Sequence, residues 1–201
     1  MRRPYHTVWY VHNMTSARDR WLDLGLDVLA TEGPSALRID PLAARLGLSK
    51  GSFFHHFASA AAFRSALLER YEAEADRALA LTAARLETAG PAEVLRELAA
   101  SVGTEDSALQ PELEIAVRAW SYSDPAAHTV QTRVDAARLA ALEAIWRRLL
   151  DDHGQARTYA LVPYLIMVGA SMSSAEVTTG ELRRIYELIF ELIQPRLPRE
   201  D

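Results

Sequence analysis

The chain of 201 residues contains no cysteine, and Lys50 is its only lysine. Without cysteine there can be no disulfide bond, no thiolate nucleophile and no cysteine-ligated zinc. The sequence also lacks the G-x-S-x-G, P-loop, dinucleotide-binding and H-E-x-x-H motifs, which mark several large enzyme classes. His55 and His56 are adjacent, so their side chains diverge on a helix and are poorly placed for chelation. We therefore expect no enzyme activity, no catalytic residues, no metal and no cofactor.

Secretory and membrane signals are also weak. The N-terminus lacks the basic, apolar and small-residue succession of a secretory signal. Residues 158–175 are uncharged, but they contain Pro163 and Gly169 and are barely long enough to span a bilayer. A buried packing helix is the favoured interpretation, and we expect a cytoplasmic protein without a membrane partner.

The first residues of the chain have no helical period. The favoured interpretation of residues 1–14 is an N-terminal extension, with Met14 as the true start. The alternative is a basic arm in which Arg2 and Arg3 contact DNA phosphates, as basic arms do in other folds.

The net charge of −5 conceals an uneven distribution. Residues 1–70 carry nine Arg/Lys against six Asp/Glu, a net charge of +3, whereas residues 71–201 carry thirteen against twenty-one, a net charge of −8. The N-terminal third is therefore the part suited to an anionic partner, and the acidic remainder can face solvent. Charge alone does not identify that partner as nucleic acid.

Residues 42–57, which read LAARLGLSKGSFFHHF, have the pattern of a helix-turn-helix. Asp40 followed by Pro41 predicts the start of a first short helix, and Gly47 predicts its end. Ser49 is expected to cap a second helix that runs to about residue 57. Phe53 lies one helical turn before Phe57, so the pair can anchor this helix to a core. Its outward residues are then small and polar enough to enter a major groove.

At these residues the sequence resembles a known family. Residues 16–71, with the string LDVLATEGPSALRIDPLAARLGLSKGSFFHHF, resemble the N-terminal domain of the TetR family of bacterial transcriptional regulators. The resemblance implies an all-α chain of about nine helices. Residues 15–75 would form the three-helix helix-turn-helix DNA-binding domain, and residues 76–201 a helical effector-binding and dimerisation domain. It also implies a homodimeric repressor that a small-molecule effector releases from a pseudo-palindromic operator in double-stranded DNA.

The predicted DNA contacts lie on or beside the two short helices. Ser52 and His55 are the expected readers of base edges, and the resemblance places Phe54 and His56 at positions of phosphate contact or support. A structural role is the favoured interpretation of His56. The whole predicted set is Arg38, Arg45, Ser49, Lys50, Gly51, Ser52, Phe54, His55 and His56.

Two positions depart from the family pattern. A tyrosine that contacts phosphate usually stands where this chain has Phe54, and a lysine usually stands at Ala60. Arg38, Arg45 and Arg64 are available to compensate. The alternative is a TetR-like dimer with weakened DNA binding that acts through a ligand or a protein partner.

The rest of the sequence reads as helices separated by proline and glycine signals. Residues 158–175 and the apolar stripes that follow them indicate a pairing surface for a second subunit, although both stripes could also be core of one subunit. The predicted helices are 15–31, 60–88, 91–102, 111–122, 125–152, 155–178 and 181–196, with a polar loop at 103–110.

Two further residue sets are predicted in this region. A cavity lined by aromatic and methionine side chains would suit an apolar or aromatic effector, although ordinary core is the alternative for each residue taken singly. The candidate effector residues are Trp120, Tyr122, His128, Trp146, Tyr159, Tyr164, Met167 and Met172. The candidate dimerisation residues are Gly169, Ser173, Leu182, Ile185, Ile189 and Leu192.

Overall fold

The computed structural model describes residues 16–101, 111–173 and 177–193, and the all-α prediction is confirmed in these ranges. The predicted extension at residues 1–14 and loop at 103–110 lie outside them. The helices of the described ranges are α1 (Ala17–Glu32), α2 (Ile39–Leu46), α3 (Lys50–His56), α4 (Ala60–Thr88), α5 (Pro91–Ser101), α6 (Pro111–Ser121), α7 (Pro125–Leu149), α8 (Ala156–Met172) and α9 (Thr179–Ile193). We call α1–α3 the head and α5–α9 the body; α4 connects them.

Local capping defines the turn between α2 and α3 as the sequence predicts. Gly47 ends α2 in the left-handed conformation with φ of 64°, which glycine adopts without the strain that a Cβ atom would cause. The Leu48 amide then donates to the Ala43 carbonyl at 3.0 Å. Ser49 begins α3, and its Oγ accepts from the Ser52 amide at 3.2 Å.

The start of α2 differs from the prediction. Asp40 is not the N-cap: α2 begins at Ile39, and Arg38 occupies the cap position in extended backbone without a side-chain hydrogen bond. The Asp40 carboxylate instead meets the Lys50 ammonium at 2.8 Å. A partner from α3 therefore determines the orientation of this side chain.

The first hydrophobic cluster joins the head to α4, α6 and α7. Gly25 of α1 is needed there, because an added Cβ atom would lie 2.7 Å from Leu67 Cδ2 and 2.7 Å from Phe63 Cζ. Trp120 of α6 and Val130 of α7 belong to the same buried cluster. The head thus rests on the body through continuous apolar packing rather than through a flexible connection.

The second cluster lies at the far end of the body. It joins the end of α4 to α5, α7 and α8, with Ile145, Trp146 and Ala160 among its buried members. Helix α9 packs on it through Phe190 and Ile193 but contains no fully buried residue. No helix within the three described ranges is long and apolar enough to cross a membrane.

Candidate nucleic-acid interface

An aromatic cluster fixes the orientation of α3. Phe53 is completely buried, and its ring lies 5.2 Å from that of Trp21, 5.3 Å from that of Phe57 and 5.4 Å from that of Phe63. Edge-to-face contacts of this kind add specific geometry to apolar burial. Because Phe53 cannot rotate away from this core, the opposite face of α3 points permanently into solvent.

The outward face of α3 carries the predicted DNA-reading residues. His56 is half-buried beside the Phe57 ring, with 6.4 Å between the ring centroids, and this position suits the structural role expected of it. Ser52 is also half-buried, while the exposed residues of the face are Lys50, Gly51, Phe54 and His55.

Gly51 leaves a bare stretch of backbone at the surface of this face. A Cβ atom added there would meet only the Ser49 Oγ within 4 Å, at a relaxed 3.5 Å. Its φ lies outside the left-handed region, where the glycines at positive φ are Gly33 and Gly47. Neither packing nor backbone conformation within the described chain therefore requires glycine at this position. The missing side chain also leaves room for a partner to approach this backbone closely.

Two of the predicted cations already have acidic partners. Lys50 Nζ lies 2.8 Å from Asp40, and Arg45 Nη1 lies 2.6 Å from Glu32. The hydrogen bond from Arg45 holds the pKa of Glu32 below its usual value and raises the pKa of Arg45. All four side chains are about half exposed or more, and exposed pairs contribute little to stability. Either cation can therefore exchange its carboxylate for a phosphate at small cost.

Arg38 and Arg64 differ from these two cations. Both are exposed, and neither forms a salt bridge with a carboxylate of the described chain. Arg64 lies one helical turn after Ala60 on the same face of α4. Helical side chains point back towards the helix N-terminus, so the Arg64 side chain can reach the surface that the alanine leaves uncovered.

Two arginines of α1 that the sequence did not single out support the helix-turn-helix. Arg20 donates from Nη2 to the carbonyl of Leu46, the last residue of α2, at 3.1 Å. The Arg18 guanidinium lies 5.4 Å from the centroid of the Phe57 ring. Neither contact could be predicted, because both join residues that are far apart in the sequence and have no local pattern in common.

A buried polar network connects α4 with the body. The Tyr71 hydroxyl donates to the Glu114 carboxylate at 2.8 Å, and Arg138 donates to both oxygens of that carboxylate. Gln131 Oε1 lies 3.2 Å from the same hydroxyl. Burial, and secondarily the charge of Glu114, raise the pKa of Tyr71 well above its usual value. This phenol therefore stays protonated and remains a donor at any physiological pH.

The network continues towards an open cleft between α6 and α7. Arg118 donates to both carboxylate oxygens of Asp135, at 2.7 and 2.8 Å. Burial alone would raise the pKa of Asp135, but the hydrogen bond and charge of Arg118 outweigh it and lower the pKa. The cleft has a volume of about 380 Å³ and is lined by residues that carry polar groups: Arg118, Ser121, Tyr122, His128, Gln131, Thr132 and Asp135.

The candidate effector residues lie in different parts of the described body. Tyr122 and His128 lie in the cleft between α6 and α7, whereas Trp120 belongs to the first hydrophobic cluster. Trp146 belongs to the second cluster, where its ring lies 5.2 Å from that of Tyr159. Of the rest, Tyr164 interacts with Asp135, Met167 is half-buried and Met172 is exposed.

The candidate dimerisation residues lie on helices with an exposed apolar surface. Gly169, Ser173 and Ile185 are exposed, and Leu192 is 65% exposed. Leu182 and Ile189 are half-buried. We define the apolar face as the exposed large apolar residues of α8 and α9, which recur at helical spacing: Val162, Leu165, Met172, Ile185, Leu188 and Leu192.

A second helical stripe faces inwards. The Tyr186 hydroxyl donates to the Pro163 carbonyl at 3.1 Å, and burial raises its pKa to about 12. Phe190 and Ile193 pack on the second cluster. This stripe holds α9 to the rest of the chain, whereas Ile185 and Leu192 of the predicted dimerisation set are exposed.

A helix-turn-helix with a rigidly mounted and exposed second helix is the arrangement of a class of DNA-binding proteins that place this helix in the major groove. Residues 22–67 match the family model described as bacterial regulatory proteins, tetR family. The matched segment covers most of α1, all of α2 and α3, and the first turns of α4. No curated protein matches the sequence.

Solved structures resemble almost the whole chain. A transcriptional regulator from Rhodococcus sp. Rha1 is 16% identical with a TM-score of 0.72, over 92% of this chain and 100% of its own. A TetR-family regulator from Agrobacterium tumefaciens is 18% identical with a TM-score of 0.71, over 91% and 98%. A transcriptional regulator from Saccharomonospora viridis in complex with choline is 19% identical with a TM-score of 0.71, over 92% and 98%. Residues 22–67 therefore match the TetR family, and the chain has the fold of TetR-family transcriptional regulators.

Proposed function

We propose that this protein is a homodimeric repressor that binds a pseudo-palindromic operator and leaves it when a small molecule binds the body. The observation that carries the proposal is the outward face of α3, where bare backbone at Gly51 lies beside Lys50 and His55. A major groove admits an α-helix, and nothing in the described head covers this helix. DNA is also the partner that the family of the N-terminal domain implies.

The apolar face of α8 and α9 supports the dimer. It leaves Leu165, Leu188 and Leu192 each more than half exposed, and exposed apolar surface beyond isolated residues marks an interaction site. Two helices from each subunit can pack there as a four-helix bundle. A two-fold axis between the subunits would present two α3 helices to DNA, and for this reason we expect a pseudo-palindromic operator.

The body supports an effector in two ways. The relative from Saccharomonospora viridis holds choline on the same fold. In this chain, the Trp146 indole N–H is buried without a hydrogen-bond partner in the described residues, beside Tyr159. A buried unsatisfied donor costs about 1–3 kcal/mol, so a ligand with an acceptor atom would gain by meeting it. We keep the candidate effector residues and the proposed domain boundary near residue 75 as parts of this proposal.

Operator selection tests the function directly. Purified protein would be used to enrich duplexes from a random library, and the affinity for the selected operator would be measured at several salt concentrations. We expect a two-fold symmetric sequence and a steep loss of affinity with salt. Each neutralised phosphate contributes about 0.9 to the slope of the logarithm of the binding constant against the logarithm of the salt concentration. Failure to enrich any sequence at low salt would contradict the proposal.

A substitution of Arg64 tests one phosphate contact in the same salt titration. If its guanidinium binds phosphate where Ala60 cannot, Arg64→Ala should lower the salt slope by about 0.9 per subunit. Arg77→Ala is the matched control, because Arg77 is an exposed arginine of the same helix, more than three turns further from the head. An equal change in both variants would show that only net charge matters.

The second candidate function is that of a TetR-like dimer with weakened DNA binding. It is favoured by Phe54, which has no hydroxyl for phosphate, by Ala60, which has no charge, and by the salt bridge that occupies Lys50. The absolute affinity at low salt separates the two proposals.

A ligand screen tests the proposed release by an effector. Compounds would be added to the protein–operator complex, and dissociation from the operator would be measured. The coupling free energy between two such sites is usually about 1–3 kcal/mol.

A further inference from the structure

Phe54 is the one large apolar side chain that the described residues of α1, α2 and α3 leave exposed. It is 54% exposed, whereas the neighbouring Phe53 is completely buried. The two rings meet edge to face, with 5.4 Å between centroids and 88° between planes. Because Phe53 is fixed in the aromatic core, Phe54 is held on the solvent side of α3 with a defined direction.

The residues that flank Phe54 on α3 are basic or uncharged, and Lys50 is paired with the Asp40 carboxylate of α2. Phe54 lies one helical turn after Lys50 and three residues after Gly51, and His55 follows it. Helix α3 contains no carboxylate. Helical side chains lean towards the helix N-terminus, and Gly51 has no side chain to occupy that space. The ring can therefore lie against bare backbone on the same surface that would enter the major groove.

A major groove offers little that is complementary to a phenyl ring. Base edges present hydrogen-bond donors and acceptors, and phosphates present charge, but neither benefits a side chain without a polar atom. The exception is the C5 methyl group of thymine, which makes apolar contacts with such side chains. We propose that Phe54 packs on a thymine methyl in each half-site, so that this residue determines the preference for thymine at one operator position. The inference rests on the proposed DNA-binding function and specifies how part of the sequence is read.

Operators in which single thymines are replaced by deoxyuridine test this contact, because the replacement removes only the methyl group. The selected operator and each substituted version would be titrated by fluorescence anisotropy at one salt concentration. We expect one symmetric position at which the loss of the methyl weakens binding about fourfold per half-site, the effect of burying one methyl-sized group. Other thymines should show little effect.

Variants of the protein show whether Phe54 is responsible. Phe54→Ala should bind the thymine operator more weakly and should no longer distinguish deoxyuridine from thymine at that position. Leu81→Ala is the matched control: it shortens another exposed apolar side chain, 68% exposed on α4, and should keep both the affinity and the discrimination. Circular dichroism spectra of both variants would verify that each is folded.

The outcomes separate this inference from the function on which it rests. An operator that is bound tightly but shows no methyl dependence would overturn the Phe54 contact alone. The same deoxyuridine penalty in wild-type protein and Phe54→Ala would overturn it as well, because another residue would then contact the methyl. Failure of the wild-type protein to select any DNA would instead overturn the proposed function, and the inference with it.

Discussion

Gly51→Ala should affect folding and DNA binding in opposite directions. Position 51 is the second residue of α3 and has helical backbone, and an added methyl would meet only Ser49 Oγ at 3.5 Å. Alanine is more favourable than glycine in a helix by roughly 0.5–1 kcal/mol. In a chain of this size, 1 kcal/mol corresponds to about 2–4 °C in Tm. We therefore expect the variant to melt about 1–4 °C higher than wild type.

The same methyl group should weaken DNA binding. It would occupy the surface where the backbone of Gly51 faces the groove, and forcing an extra methyl group into a close-packed contact costs about 1–3 kcal/mol. The expected loss of affinity is roughly 5- to 150-fold. Thermal denaturation followed by circular dichroism gives the first quantity, and anisotropy titration on the selected operator gives the second.

Gly180→Ala is the matched control. Gly180 is also exposed, is also the second residue of its helix, α9, and has no atom within 4 Å of an added Cβ. It should show the same gain in Tm with unchanged operator affinity. If Gly51→Ala bound the operator as tightly as wild type, Gly51 would not be a point of close approach. If the Gly51→Ala variant had a lower Tm than wild type, the added methyl group would not fit beside Ser49 as inferred.

Three further predictions concern the body. Glu114→Ala leaves the Arg138 charge buried without its partner and should lower the free energy of unfolding by about 3–5 kcal/mol, as measured by urea denaturation; a loss below about 1 kcal/mol would contradict this. The pKa of Asp135 is lower in the folded protein than its ordinary value of 3.8. Its charged form therefore stabilises the fold above pH 3.8, and this contribution is lost as the pH falls through the lowered pKa. The difference in the free energy of unfolding between wild type and Asp135→Asn should shrink over the same pH range in acid titrations. Leu188→Arg places a charge on the apolar face, where this side chain is 55% exposed, and should yield folded monomers in sedimentation experiments; a persistent dimer would place the interface elsewhere.

Signals that act within a few residues were sufficient to predict the helix-turn-helix. Ser49 and Gly47 act through hydrogen bonds and backbone conformation inside their own turns. Residues close in sequence therefore determine where the two short helices end and begin. The long connecting helix was predicted with its observed bounds, Ala60–Thr88. The N-cap predicted at Asp40 was wrong: the helix begins at Ile39, and the Asp40 carboxylate pairs with a lysine ten positions further along the chain.

Contacts between distant residues were beyond the reach of sequence patterns. The Tyr71–Glu114 hydrogen bond joins residues 43 positions apart, and neither residue shows a local signature of burial. The aromatic residues proposed for an effector pocket illustrate the same limit. Trp120 and Trp146 are large and apolar whether they fill a core or line a cavity, and only the fold reveals that they belong to separate clusters.

The position of Tyr71 has a consequence for protein engineering. The two ends of this part of α4 contact different parts of the protein. Phe63 and Leu67 pack near Gly25 of the head, whereas Tyr71 forms a hydrogen bond with Glu114 of the body. A hybrid regulator made by exchanging DNA-reading modules should therefore be joined between residues 68 and 71. A junction at residue 75 would replace Tyr71 with the corresponding residue of the new module, and Glu114 would lose its phenolic donor wherever that residue is not tyrosine. The crossover point, together with the fit of the new head against α6 and α7, would then decide whether such a hybrid folds.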